Sequence, residues 1–386
     1  MKKLIYILNH YSADQGSHFY HILHLLEEIA YNGVEIVLLI EKAEGEPVFK
    51  NSNIKVIVQK ETKPLKRIME LFNILKKLNK QGFKKIYIRI SQNAALPAMA
   101  VSKLYGSEVY YWQSGTTHLV NDKKIKNLQD IKRLIKSDLP FYLTKKYVDH
   151  FVTGPESMAD YYRDVVGVSE KRLMVLYNDI DLERFKQISA EEIELLRKEL
   201  NIYGDEKIIL FVHRLSPVRK SLYYMPFVLE KISDVLREHN YKCIVLGGGP
   251  EKEVLEEEIK QKKLDDIIEV LGEKPNATIQ QYYQVAEIFI NPTYTEGFPR
   301  VLIEAMASGL PIVTTNAGGI KDILDTKQLD YMVDINDRDM FSERLKSLLD
   351  DKEMQKELGE ENLQKVKRYS TENVAKMYIE RIFNNG

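Results

Sequence analysis

Two carboxylates eight residues apart, Glu296 and Glu304, stand in residues 287–324, and the pattern around them is built to hold them. The apolar run 288–290 ends in Asn291-Pro292 and reads as a short buried strand. A polar loop over 293–297 carries Glu296. A helix is predicted from Pro299, where proline's missing N–H is no loss, and Gly309-Leu310-Pro311 stops it. Residues 312–315 form the next buried strand, so the segment is one strand–helix–strand unit of a parallel sheet. Glu304 then lies about 8 Å along the helix axis from its start. Open N–H groups in the first helical turn, with the positive end of the helix dipole, suit a phosphate. Acids on both sides of an anion site make sense when both grip hydroxyls. A nucleotide-sugar presents that pattern, with sugar hydroxyls for Glu296, a diphosphate for the helix start and ribose hydroxyls for Glu304. Taken alone, the two acids also fit a capping residue and a solvated helix acid.

A second cluster follows the apolar run 208–212. It opens into His213-Arg214-Leu215-Ser216-Pro217-Val218-Arg219-Lys220-Ser221, three cations on one loop, which outlines an anion site. Three weaker candidates lie in the first half. Gly16, after the strand at 4–8, lets backbone approach a phosphate. The loop Gln113-Ser114-Gly115-Thr116-Thr117-His118 follows the strand at 108–112, at the end where open α/β sheets bind ligands. His18, His21 and His24 recur every three residues, but no carboxylate or cysteine completes a ligand set, so a half-buried helix is expected there and no metal site. The absence of a G-x-G-x-x-G pattern argues against a nicotinamide dehydrogenase.

These residues need elements to carry them. The 386 residues suffice for two or three domains, and 44% hydrophobic with 29% charged residues is ordinary for a globular chain. Strands alternate with helices throughout, the signature of parallel sheets. The single cysteine, Cys243, sits in an apolar run, so it is read as core and the compartment as reducing. Nothing approaches the roughly 18 apolar residues of a membrane helix, and the start MKKLIYILNHY is too short in apolar length for a signal peptide. Residues 1–178 hold 27 Lys and Arg against 18 Asp and Glu, whereas residues 179–386 hold 29 against 39. A basic half suggests a negative partner. Two basic amphipathic helices concentrate that charge. The one at 64–81 has Leu65, Ile68, Met69, Phe72, Leu75 and Leu78 on its apolar face. The other, at 123–146, ends near Pro140 and uses Ile125, Leu128, Ile131, Leu134 and Ile135. Each fits a solvated surface helix, or a patch for anionic lipid or a phosphorylated acceptor. Nucleic acid is not expected, because no stacking aromatics interleave with the bases.

The text EGFPRVLIEAMASGLPIV, residues 296–313, resembles the E-x7-E segment of retaining GT-B glycosyltransferases, family 4 in particular. The resemblance is strong over about 150–330 and weaker over 1–120. It implies an α/β GT-B fold of two Rossmann-like, doubly wound parallel-sheet domains facing across a cleft. The first, 1–185, would bind acceptor, and the second, 186–370, nucleotide-sugar, with a helix at 371–386 returning to the first. It implies catalytic roles for Arg214, Lys220 and Glu296, with Arg219 competing with Lys220 for the diphosphate. Donor contacts are implied for Gly16, Arg219, Phe298, Arg300, Val301, Leu302 and Glu304, and acceptor- or sugar-side contacts for Ser114 and His118. No metal or cofactor is implied, and a UDP-sugar is the expected donor. The expected partner is a carbohydrate or lipid-linked acceptor, in cell-surface polysaccharide or glycoconjugate synthesis. The expected location is cytoplasmic, peripheral at the inner face of the membrane through 64–81 and 123–146. The chain departs from the family text at His213 and Ser221, where glycines are usual, at Ser17 in the usual double glycine, and at Asp179. Asp179-Ile180-Asp181 is expected to be structural. A nucleotide-sugar 2-epimerase and a non-catalytic nucleotide-sugar-binding subunit share the layout.

Overall fold

Continuous apolar runs, rather than alternating ones, mark strands buried on both faces, and such runs build two parallel sheets. The computed structural model describes residues 2–12, 20–115, 128–217 and 221–384. The first compact unit takes the described residues up to Ser114, those from 128 to Asp179, and the helix that begins at Thr371; the second runs from Ile180 to Ser370. In the first unit the strands are β1 (Lys2–Leu8), β2 (Val34–Ile40), β3 (Ile54–Val58), β4 (Lys85–Arg89), β5 (Glu108–Trp112), β6 (His150–Thr153) and β7 (Leu173–Val175), in the spatial order β3-β2-β1-β4-β5-β6-β7. In the second they are β8 (Lys207–Val212), β9 (Tyr241–Leu246), β10 (Ile268–Gly272), β11 (Ile288–Asn291), β12 (Ile312–Thr315) and β13 (Met332–Val333), in the order β10-β9-β8-β11-β12-β13. Their pairings are parallel, for example Leu4 beside both Ile36 and Lys85, and Ile209 beside both Cys243 and Ile288. This is the doubly wound order, repeated. In each sheet the chain works outward from the middle and then crosses over, which leaves a crevice beyond the strand ends at β1/β4 and at β8/β11. Cys243 is buried in the second core, as its apolar run requires.

The last helix, Thr371–Phe383, buries Val374, Tyr378 and Ile382 and belongs to the first unit. The Tyr378 hydroxyl meets the Tyr87 hydroxyl at 3.1 Å, and Tyr110 donates to the Ile382 carbonyl at 3.1 Å. Asp179 is buried and accepts from Thr371 Oγ1 at 2.9 Å, while Asp181 caps the helix Leu182–Phe185 through the Arg184 N–H. Both acids of the Asp-Ile-Asp text are structural.

The basic helices depart from expectation. Helix α1 (Tyr20–Tyr31) precedes β2. In α2 (Pro64–Lys80) the buried positions are Leu71, Leu75, Leu78 and Asn79, whereas Leu65 and Met69 are 78% and 65% exposed. Arg67 is not on a solvated face but turns inward to Glu41. The second basic stretch is described from Leu128, so Ile125 lies outside the described residues. It does not stop at Pro140. An α-turn Leu128–Arg133 leads through a π-turn, Leu134–Asp138, into the helix Leu139–Tyr147, whose first turn tolerates the proline. Ile131, Leu134 and Ile135 are exposed rather than packed. Periodicity marked one stripe on each helix, but the packing partner, α3 (Gln92–Tyr105), selects only part of it.

Candidate active site

The site in the second unit begins at β11. After Asn291 the chain is tied to β12 by hydroxyls. Thr293 N–H donates to Thr315 Oγ1 at 3.0 Å, Thr315 Oγ1 donates back to the Thr293 carbonyl at 2.5 Å, and Thr314 Oγ1 donates to the Asn291 carbonyl at 3.1 Å. A glycine from the following turn then presses on the loop. A Cβ on Gly318, at φ +59°, would lie 1.9 Å from the Glu296 carbonyl oxygen. Glu296 is therefore held by side chains and backbone of its own sheet, and it is 7% exposed.

Its carboxylate faces a histidine. Glu296 Oε1 lies 3.3 Å from His213 Nε2, and His213 Nδ1 lies 3.1 Å from the Arg214 carbonyl. His213 stacks on Phe211 at the end of β8. Behind this strand end sits the turn Gly247-Gly248-Gly249. A Cβ on Gly247 would meet the His213 carbonyl at 1.9 Å, and one on Gly249 would meet the Leu215 carbonyl at 2.0 Å. The glycines let the turn close on the backbone of residues 213–215, where the Leu215 N–H also donates to the Gly248 carbonyl at 2.9 Å. Arg214 is thereby fixed at the backbone, with an exposed side chain.

Glu304 belongs to the helix Arg300–Ala307, which begins directly after Pro299, within a residue of the expected start. It is not a solvated acid. Its Oε2 accepts from the Tyr283 hydroxyl at 2.9 Å, and Arg300 Nη2 stands 3.7 Å from Oε1. Tyr283 is in turn clamped between Phe185 and Phe289, and burial first, then the Glu304 charge, pushes its hydroxyl well above the ordinary range, so it stays a donor. An oriented carboxylate keeps lone pairs for ligand hydroxyls.

Several donor-contact assignments change at the side-chain level. Phe298 is buried edge-on against Tyr369, with centroids 5.4 Å apart, and Leu302 is fully buried, so both side chains are core. The Leu302 N–H is engaged with the Pro299 carbonyl at 3.2 Å, so the first turn does not offer all its amides. Val301 and Arg300 are half-buried. Ser114 donates to the Gly154 carbonyl at 2.9 Å. Gly16, His118, Arg219 and Lys220 lie outside the described residues. Among the described residues no cluster of His, Cys, Asp and Glu is placed to hold a metal. His213 and Tyr283 were missed as site residues. His213 was visible only as a residue standing where the family text has glycine. Nothing local points from Tyr283 to an acid 21 residues away.

Residues 192–365 match the family model of glycosyl transferases group 1. Among curated relatives, an uncharacterised glycosyltransferase of Methanocaldococcus jannaschii is 30% identical over 47% of this chain and 46% of its own. The N-acetyl-alpha-D-glucosaminyl L-malate synthase of Bacillus anthracis is 26% identical over 54% and 52%. The chain spans about half the length of the curated relatives it matches. Solved structures align over the whole of both chains. They include sucrose-phosphate synthase of Thermosynechococcus elongatus, at TM-score 0.79 and 16% identity, and the Anabaena protein HepE in complex with UDP, at 0.76 and 15%. The fold is that of the GT-B glycosyltransferases, two parallel-sheet α/β domains.

Proposed function

We propose that this protein is a retaining, metal-independent glycosyltransferase of family 4, moving a hexose-type sugar from a nucleotide-sugar to an acceptor hydroxyl in cell-surface polysaccharide or glycoconjugate synthesis. The observation that carries this is the pair of restrained acids at the Arg300–Ala307 helix, Glu296 against His213 and Glu304 against Tyr283 and Arg300, within the segment that matches glycosyl transferases group 1. The departing nucleoside diphosphate gains negative charge as the glycosidic bond breaks. Arg214, Lys220 and the helix start meet that charge, so the step calls for no metal ion. Each tenfold in rate is about 1.4 kcal/mol off the barrier, and preorganised donors at the developing charge are the most direct source. HepE has been solved with UDP and with UDP-glucose, which favours a UDP-sugar donor here.

The test is a calorimetric screen of UDP-, GDP- and ADP-sugars with product stereochemistry read by NMR. A UDP-sugar should bind, and the product should keep the donor's anomeric configuration; an inverted product contradicts retention. In the same assay Glu304→Gln should weaken donor affinity about tenfold, because the oxygen that remains for a ribose hydroxyl loses its charge. Unaltered affinity removes Glu304 from the donor site.

We further propose that the first unit rests on anionic lipid as a peripheral protein. No helix among the described residues is long and apolar enough to cross a membrane. Leu65 and Met69 on α2, and Ile131, Leu134, Ile135 and Leu139 in the second basic stretch, expose apolar surface among lysines, the composition of an interfacial patch. Sedimentation with vesicles of 30% phosphatidylglycerol should capture the protein at low salt and release it at high salt. No capture at low salt ends the lipid assignment.

A further inference from the structure

The first unit holds a cavity of about 370 Å³, distinct from the donor site and inside the size range of small-ligand pockets. It opens beyond the carboxyl ends of β1, β2 and β4, the point of reversal in the strand order. Asn9 follows β1, Glu41 and Lys42 follow β2, and Ser91 caps α3 after β4, while Arg67 enters from α2 and Lys136 from the π-turn.

The chemistry of the wall is specific. Glu41 is pinned on two sides, accepting from the Ser91 hydroxyl and lying 3.5 Å from Arg67 Nη2, which also donates to the Glu41 carbonyl at 2.8 Å. Its burial pushes the carboxyl up despite those partners. Asn9 Oδ1 is buried with no hydrogen-bond partner among the described residues, an acceptor left open. Ile90, a β-branched residue in the same wall, is held at φ +59° and 43% exposed, backbone strain of the kind that collects at binding sites. Three cations, Lys42, Arg67 and Lys136, line the cavity with this one carboxylate. Neutral sugar would satisfy the acceptors and leave the cations facing water. A purely inorganic anion would leave Asn9 and Glu41 unused.

We propose that this cavity takes the acceptor, and that the acceptor is an anionic sugar or polyol. Glu41 and Asn9 accept from its hydroxyls, and its phosphate or carboxylate lies against Lys42, Arg67 and Lys136. This rests on the transferase assignment made above. The family resemblance gives the acceptor to the first domain; the cavity and the anionic class come from the residues named here.

The experiment is calorimetric titration of the full chain with glucose 6-phosphate, glucuronate and glucose, with UDP-sugar consumption followed alongside. The charged sugars should bind at least tenfold tighter than glucose, and the tighter of the two identifies the anion as phosphate or carboxylate. The double variant Lys42→Ala, Lys136→Ala alters two exposed side chains, so it should fold. It should abolish the preference while leaving glucose and UDP affinities unchanged. Glu41→Gln should weaken all three sugars together. Equal binding of the three, no binding of any, or a preference that survives the double variant overturns the assignment. Donor consumption without charged-sugar binding overturns the cavity assignment alone. Charged-sugar binding in a chain that neither binds nor consumes a UDP-sugar supports the anionic site and overturns the transferase reading instead.

Discussion

Replacing Glu296 with Gln should lower the proposed sugar transfer by about two orders of magnitude and leave the protein nearly as stable as before. The Arg214 carbonyl can only accept, so the His213 Nδ1 that faces it at 3.1 Å carries hydrogen. One further hydrogen then bridges His213 Nε2 and Glu296 Oε1 across 3.3 Å. A Gln at 296 supplies an N–H to that ring nitrogen, so the buried contact survives while the acid group itself is lost. A hundredfold loss corresponds to about 2.7 kcal/mol on the barrier, the scale of one preorganised group at a reacting centre. Glu296→Ala behaves differently. It removes one buried partner of a histidine side chain that is 1% exposed, and stability should fall by a further ~1–3 kcal/mol. Saturating-donor kcat and thermal melting, measured on both variants, separate the roles. Unchanged kcat in Glu296→Gln takes the acid out of the chemistry, and a melt as poor as that of Glu296→Ala makes it structural.

Gly318→Ala should lower kcat/KM at least a hundredfold through geometry alone. The new methyl would stand 1.9 Å from the Glu296 carbonyl oxygen and 2.7 Å from its carbon, both backbone atoms, so the Glu296 loop has to move. A displacement of about 1 Å at a reacting group is enough for a hundredfold loss. The left-handed conformation adds about 1–2 kcal/mol of strain for an L side chain. Gly33→Ala is the control: its φ is +83°, but no atom lies within 4 Å of the added Cβ. It should share the loss of stability and keep full activity. Equal kcat/KM in the two variants would mean that the Gly318 contact does not position Glu296.

The site of the second unit was legible because its determinants are local. One strand, one helix and one strand lie within 287–324, and the stop at Gly309-Pro311 and the Gly318-Gly319 turn are written in adjacent residues. The hydroxyl ties of Thr293, Thr314 and Thr315 were not legible, since any of the three could have faced the core. Period alone also misjudged the basic helices. A helical stripe shows which residues share a face, not how much of it a neighbour covers, and Leu65, Met69 and Ile135 on those stripes are exposed. Arg67 is one more cation of a basic helix by its sequence position, whereas the fold turns it to Glu41, 26 residues upstream. Phe298 and Leu302 stand in the motif text but serve it from the core. The His213–Glu296 contact spans 83 residues and the cavity gathers five separate segments, and neither has a signature within any window of sequence.

A crystal structure of the full chain with UDP tests the central claim most directly. The diphosphate should lie at the start of the Arg300–Ala307 helix within reach of the Arg214 guanidinium, with the ribose hydroxyls on the Glu304 carboxylate. A nucleotide bound elsewhere, or one bound there with Glu304 making no ribose contact, contradicts the account.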